Sequence, residues 1–226
     1  MKKSNRSNID SFIVMDVMEQ ARLEEEAGRN IVHMEVGQPS TPAPRRAIKD
    51  LSDLMHKEPL GYTVALGIPL LRRKISDLYL KWYGIELNPD RVIVTSGSSG
   101  AFLLAFTSLF DTGARVGLGA PGYPSYRQIL KAMGLEPIIL ETTSKEKFQV
   151  TSNSTFGSEL DGLLIASPAN PTGSMLNFNS LQSLINKCAD NDISFISDEI
   201  YPVSYTHLRA HETRGNLVCR LGLEKK

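Results

Sequence analysis

Three side chains able to do polar chemistry, Asn170, Asp198 and Tyr201, each follow a short apolar run. Gly162-Leu163-Leu164-Ile165-Ala166 reads as a buried strand. It runs into Ser167-Pro168-Ala169-Asn170-Pro171-Thr172-Gly173, where two prolines, an asparagine and a glycine dictate a tight turn. About one helix further on, Ser194-Phe195-Ile196-Ser197 is a second short strand with Asp198-Glu199-Ile200-Tyr201 at its end. Open α/β sheets bind ligands just past the carboxyl ends of their strands. An amide, a carboxylate and a phenol would therefore meet a ligand along one edge of one sheet. Asp198 at a buried strand terminus could pair with a cationic ring nitrogen, its own charge favoured by that neighbour, or serve as an ordinary turn residue.

Two further segments carry chemistry. Thr95-Ser96-Gly97-Ser98-Ser99-Gly100 joins an expected strand to an expected helix. Free N–H groups at a helix start form an anion site, and small residues let a phosphate approach the backbone; the alternative is a plain serine cap. No Gly-Lys-Ser/Thr follows, so it is not a Walker loop. Gly117-Leu118-Gly119-Ala120-Pro121-Gly122 matches a dinucleotide pattern, with Glu141 near where a ribose carboxylate would stand. Pro121 and Pro124 remove amides that such a fingerprint needs, so the segment reads as a strand-end turn. Tyr123, just beyond it, is placed to stack on a planar ring.

These residues require an alternating scaffold. Strands are expected at Arg91 to Thr95, Arg115 to Gly119, Pro137 to Leu140, Gly162 to Ala166 and Ser194 to Ser197. Helices are expected at Ser98 to Phe110, Tyr123 to Met133 and Leu181 to Ala189. Strands separated by helices imply an α/β fold with a largely parallel sheet covered on both faces. Ahead of it, Asp10 or Ser11 could cap a helix ending at Gly28, and Ile31 to Glu35 reads as a short strand. Three prolines stiffen Gly37 to Pro44, and helices follow at Ala47 to Met55 and Pro69 to Tyr83. A polar, irregular stretch runs from Glu141 to Phe156.

The 226 residues carry 25 Lys plus Arg against 25 Asp plus Glu, which gives no sign of a nucleic-acid or membrane surface. No apolar run approaches the ~20 residues of a spanning helix, and no apolar segment follows the basic start, so a cytoplasmic protein is expected. Cys188 and Cys219 make no disulfide framework, and Cys188 reads as a small core residue. His33 and His56 have no Cys, Asp or second His at ligand spacing, so no metal site is expected.

Taken in order from about Phe12 to Tyr201, the segments resemble the class I/II aminotransferases, pyridoxal-phosphate enzymes of fold type I. The resemblance rests on Val36-Gly37-Gln38-Pro39, Gly61-Tyr62, Thr95-Ser96-Gly97, Tyr123, Ala169-Asn170-Pro171-Thr172-Gly173 and Ser197-Asp198-Glu199-Ile200-Tyr201. It implies the large domain of that fold, incomplete, with an N-terminal arm. The arm and a small-domain segment would occupy 1–60 and the large domain 61–202. It also implies roles. Asn170 and Tyr201 would bond the phenolate oxygen of pyridoxal 5′-phosphate, and Asp198 its pyridine nitrogen. Tyr123 would stack on the ring, and Gly97, Ser98 and Ser99 would hold the phosphate. Gly37 would lie near the substrate carboxylate. Tyr62 would reach the phosphate of a neighbouring subunit, implying a homodimer. The implied reaction moves an amino group from an amino acid to a 2-oxo acid.

The chain departs from that family in two places. The lysine that carries the cofactor should lie roughly thirty to forty residues beyond the aspartate in a Ser-x-Ser-Lys setting. Twenty-eight residues follow Asp198 and contain no such setting. Val203 to Thr213 instead resembles the translation of a transposase-type sequencing adapter, so 203–226 is expected to be a non-native tail. His207 and His211 are accordingly not read as a metal pair. As written, the chain is expected to be a fragment without turnover. Other fold type I reactions stay open: carbon–sulfur lysis, decarboxylation or acyl-transferring synthesis. So do a non-enzymatic aminotransferase-like sensing domain and, third, a nicotinamide oxidoreductase.

Overall fold

The computed structural model describes residues 3–37, 41–59, 61–154 and 159–201, and the backbone of Cys219–Leu221. Gln38, Pro39 and Ser40, and all but three residues of the stretch 203–226, lie outside the described residues. The chain divides into two compact units. Asn8–Tyr62 forms one; residues from Thr63 onward, joined by the short turn Asn5–Ser7, form the other.

The second unit is built on a parallel sheet. Its strands are β1 (Arg115–Ala120), β2 (Glu136–Glu141), β3 (Gly162–Ala166), β4 (Ser194–Asp198) and β5 (Cys219–Leu221), in the order β2-β1-β3-β4-β5. Leu118 pairs with Leu164, and Ala166 pairs with Asp198. The central strands are apolar on both faces because helices cover both. On one face Leu163, Ile165 and Phe195 pack against Leu181, Leu184, Ile185 and Cys188 of α6 (Phe178–Asp190). On the other, Val116, Leu118, Leu164 and Ile196 meet Phe102 and Phe106 of α4 (Gly97–Leu109) and Tyr126 and Leu130 of α5 (Pro124–Met133). Period-two alternation within β3 thus feeds two separate cores. Each large apolar side chain buried in them contributes about 1.5–3 kcal/mol. Gly162 has no side chain because any Cβ there would collide with the Phe110 ring.

The first unit contains α1 (Ile13–Glu26) and α2 (Arg45–Lys57), neither with a buried residue. α3 (Pro69–Tyr83), which has proline in its first turn and ends on left-handed Gly84, belongs to the sheet unit.

Three expectations are corrected. Arg91 to Thr95 is not a strand: Pro89–Arg91 is a 3-10 turn and the residues after it are extended but unpaired in any ladder. The Val92 carbonyl accepts instead from Arg72 Nε (2.9 Å), and Val94 N–H donates to the Leu66 carbonyl (3.0 Å). Ile31 to Glu35 likewise has no strand partner among the described residues. Neither Asp10 nor Ser11 caps the first helix, which starts after Phe12 without a side-chain cap. Cys188 lies in the core as expected, and burial pushes its thiol up to about 12.

Candidate functional site

Strand order places a switch point between β1 and β3, since the chain moves outward from β1 to β2 and then returns to β3 on the other side. A shallow cleft opens there, and its lining includes Tyr123, Tyr126, Phe148, Gln149, Ala166 and Asn170. Tyr123 leaves β1 through the Pro121–Gly122 turn, and Asn170 leaves β3 through the Ser167–Gly173 turn. The turn at Gly122 is tight enough that a Cβ would stand 2.6 Å from the Gly119 carbonyl oxygen. α5 begins with Pro124, so the glycine pattern ahead of it makes a strand-end turn.

Asp198 is the last residue of β4 and is 3 % exposed. Its Oδ2 accepts from the Tyr126 hydroxyl at 2.5 Å and its Oδ1 from Ile200 N–H at 3.0 Å. Burial pushes the Asp198 carboxyl above its ordinary range, and the Tyr126 hydroxyl and Ile200 amide partly offset that. The Tyr126 phenol is driven upward by its own burial and then by the Asp198 carboxylate, with Tyr201 and Tyr123 adding smaller effects. Asp198, Tyr201 and Tyr123 therefore all act on one buried phenol. Tyr123 and Tyr126 meet edge to face, ring centroids 5.3 Å apart, and Tyr126 meets Phe102 in the same way at 5.1 Å.

Phe102 connects this group to the start of α4. Gly97 adopts φ +74°, which favours glycine, and the Thr95 hydroxyl donates to the Gly97 carbonyl at 2.9 Å. The N-cap residue Ser96 makes no side-chain bond to the first-turn amides, which include those of Ser98 and Ser99. Arg72, 7 % exposed, holds the approach to this turn. Besides its bond to Val92, its Nη2 donates to Pro89 O (2.7 Å) and Asp90 Oδ1 (2.9 Å).

Asn170 and Tyr123 thus share the cleft and Asp198 joins it through its bond to Tyr126, whereas Tyr201 is 46 % exposed and does not line it. Gly37 and Tyr62 lie in the other unit: Tyr62 is fully exposed, and nothing lies within 4 Å of where a Gly37 Cβ would be. Tyr126 escaped the sequence reading; it lies in the first turn of α5, three residues after the extended N-cap residue Tyr123. His33 also gains neighbours the sequence did not suggest. Its Nδ1 lies 2.6 Å from Glu35 Oε1 and its Nε2 2.9 Å from Glu25 Oε1, and the bonds to Glu35 and then Glu25 raise the imidazole's pKa.

A parallel α/β sheet with a buried carboxylate and edge-to-face phenols beside its switch point is the arrangement of the open α/β class of proteins. The chain belongs to the aminotransferase class I and II family, whose profile matches residues 29–225. It is 40 % identical over 198 residues to the valine–pyruvate aminotransferase of Mycobacterium tuberculosis, covering 87 % of this chain and 51 % of that one. An aminotransferase structure from M. tuberculosis superposes with a TM-score of 0.85 at 39 % identity, over 89 % of this chain and 52 % of the other. A Silicibacter pomeroyi structure described as an aminotransferase gives 0.82 at 51 % identity, over 92 % and 55 %. The chain spans about half the length of the relatives it matches. No helix among the described residues is long and apolar enough to cross a membrane.

Proposed function

We propose that the parent protein is a pyridoxal-phosphate-dependent aminotransferase and that this chain carries most of its cofactor cradle. One observation carries the reading: the buried Asp198 carboxylate, held by Tyr126, ends β4 at the rim where Tyr123 and Asn170 face a common cleft. The donor set suits the cofactor. A carboxylate penalised by burial gains from a cationic pyridine N–H. The Tyr123 ring offers a flat face, Asn170 and Tyr201 offer polar atoms for a phenolate oxygen, and the start of α4 offers amides to a phosphate. When bound, pyridoxal phosphate supplies an electron sink for chemistry at an amino-acid Cα. This chain's residues bind and orient: Asp198 holds a proton on the ring nitrogen, Tyr126 fixes Asp198, and Phe102 with Tyr123 excludes water around that pair.

Gly37 is assigned to the substrate carboxylate and Tyr62 to the phosphate held by a second subunit, which makes the working form a homodimer. The cytoplasm is the compartment that suits such an enzyme. The first substrates to test are valine and pyruvate, because the M. tuberculosis relative bears that name at 40 % identity. The decisive experiment starts from the nucleotide sequence after Pro202. It should continue to a Ser-x-Ser-Lys setting, and the protein expressed from that frame should convert valine and pyruvate to alanine and the 2-oxo acid of valine. The 226-residue chain should show no turnover. A cofactor-loaded parent that exchanges no amino group with any amino acid would move the reading to another fold type I reaction.

A further inference from the structure

Gln149 is a glutamine on a loop, yet only 4 % of it is exposed. The backbone reaches it by an uncommon route. After the 3-10 turn Ser144–Glu146, both Lys147 (φ +53°) and Phe148 (φ +55°) are left-handed although neither is glycine. Phe148 N–H donates to the Thr143 carbonyl (2.8 Å) and Gln149 N–H to the Glu146 carbonyl (3.1 Å), which locks the reversal. The consequence is that Gln149 lies against the loop that carries Asn170.

Its Nε2 lies 3.2 Å from the Ala166 carbonyl, 2.8 Å from the Ser174 carbonyl and 3.3 Å from Ser174 Oγ. Ala166 is the residue before the Ser167–Gly173 turn and Ser174 the residue after it. One buried amide therefore ties the two ends of that turn together. Within the turn, Ala169 N–H donates to Ser174 O (2.9 Å) and Gly173 N–H to Ala169 O (2.7 Å). Beyond it, Leu176 N–H donates to Ser167 Oγ (3.0 Å). Without this donor the Ala166 carbonyl would lose its side-chain partner and the Ser174 carbonyl would keep only the Ala169 N–H, so the tie between the two ends of the turn would be gone.

We propose that Gln149 is the positioning residue for Asn170: by clamping Ala166 to Ser174 it fixes the turn so that the Asn170 amide is presented to the ring in the cleft. The proposal rests on the cofactor reading above, and its test separates the two. The probe is 4′-deoxypyridoxine 5′-phosphate, which has no aldehyde and so needs no lysine. It is titrated into the full 226-residue chain by fluorescence. Gln149→Met, similar in length but without the amide, and Asn170→Ala should each bind about tenfold more weakly. Gln149→Glu, which places an acceptor against two carbonyls, should be at least as weak. Because Gln149 acts through Asn170, the double variant should lie within about twofold of Asn170→Ala alone. Binding by Gln149→Met within about twofold of the unaltered chain overturns the proposal, and so does a double variant as weak as the two losses multiplied.

Amide hydrogen exchange on the same proteins provides a readout that does not depend on the ligand. Exchange across 167–176 should quicken about tenfold in Gln149→Met and Gln149→Glu while Leu181–Cys188 keeps its protection. Unchanged exchange in that turn overturns the proposal. If the unaltered chain does not bind the probe, the cofactor reading fails for this chain, and the exchange result alone decides whether Gln149 clamps the turn.

Discussion

Helices α2 and α6 are each 13 residues long and carry apolar side chains at nearly the same spacing, with opposite results. In α6, Leu181, Leu184, Ile185 and Cys188 are buried against β3 and β4. In α2, Ile48, Leu51, Leu54 and Met55 are all exposed, between 44 % and 55 %. Helical periodicity defines a face but does not supply what covers it. The sheet unit owes its stability to its two cores. The unit Asn8–Tyr62 instead shows exposed i,i+4 ion pairs such as Lys49–Asp53 (2.8 Å), which contribute little in water.

The largest effect that would break this contrast comes from equal truncations on the two helices. Leu184→Ala should cost about 2–5 kcal/mol in a denaturant titration, whereas Leu51→Ala should stay within about 0.5 kcal/mol. Equal losses would mean that α2 is packed as α6 is. A second, smaller effect concerns the rim of the sheet. Tyr126→Phe removes a donor that favours the Asp198 carboxylate, so the Asp198 carboxyl, already raised by burial, should rise further. Since a cationic ring needs the carboxylate ionised, binding of the deoxypyridoxine probe should weaken as pH falls through that value. In the variant the weakening should begin at higher pH; an unmoved profile would remove Tyr126 from the site. The smallest effect belongs to His33. Its folded pKa is raised above 6.5, so its contribution to the fold is complete below 6.5 and fades as pH rises through the raised value. The His33 ring protons, followed by NMR, should titrate above 6.5, and Glu35→Gln should bring the midpoint down more than Glu25→Gln.

The parts of the fold that could be read in the chain were those whose signal is local. Gly162–Ala166 and Ser194–Asp198 are short apolar runs bounded by turn residues, and helices with Pro first and Gly last announce both ends, as Pro69–Tyr83 does. Val92-Ile93-Val94-Thr95 has equally strong strand chemistry, but a strand exists only with a partner, and its polar groups go to Arg72 and Leu66. At the site, residue type and turn position marked Asn170, Asp198 and Tyr123. What stayed hidden depends on distance in sequence: the Tyr126–Asp198 bond spans 72 residues, and Gln149 reaches Ser174 from 25 residues away. The irregular stretch after Glu141 gave no periodicity from which a buried glutamine could be inferred.

The first turn of α4 matters for more than recognition. Its N-cap residue, Ser96, makes no side-chain capping bond. Under the proposed function, a cofactor phosphate settling on the first-turn amides would complete the helix as it binds, and occupancy and folding would be coupled equilibria. Saturation at a hundred times the dissociation constant would then add about 2.7 kcal/mol to the unfolding free energy. The melting temperature of the sheet unit would climb with the logarithm of phosphate-ester concentration, making a thermal scan a direct gauge of whether that helix is waiting for its last ligand.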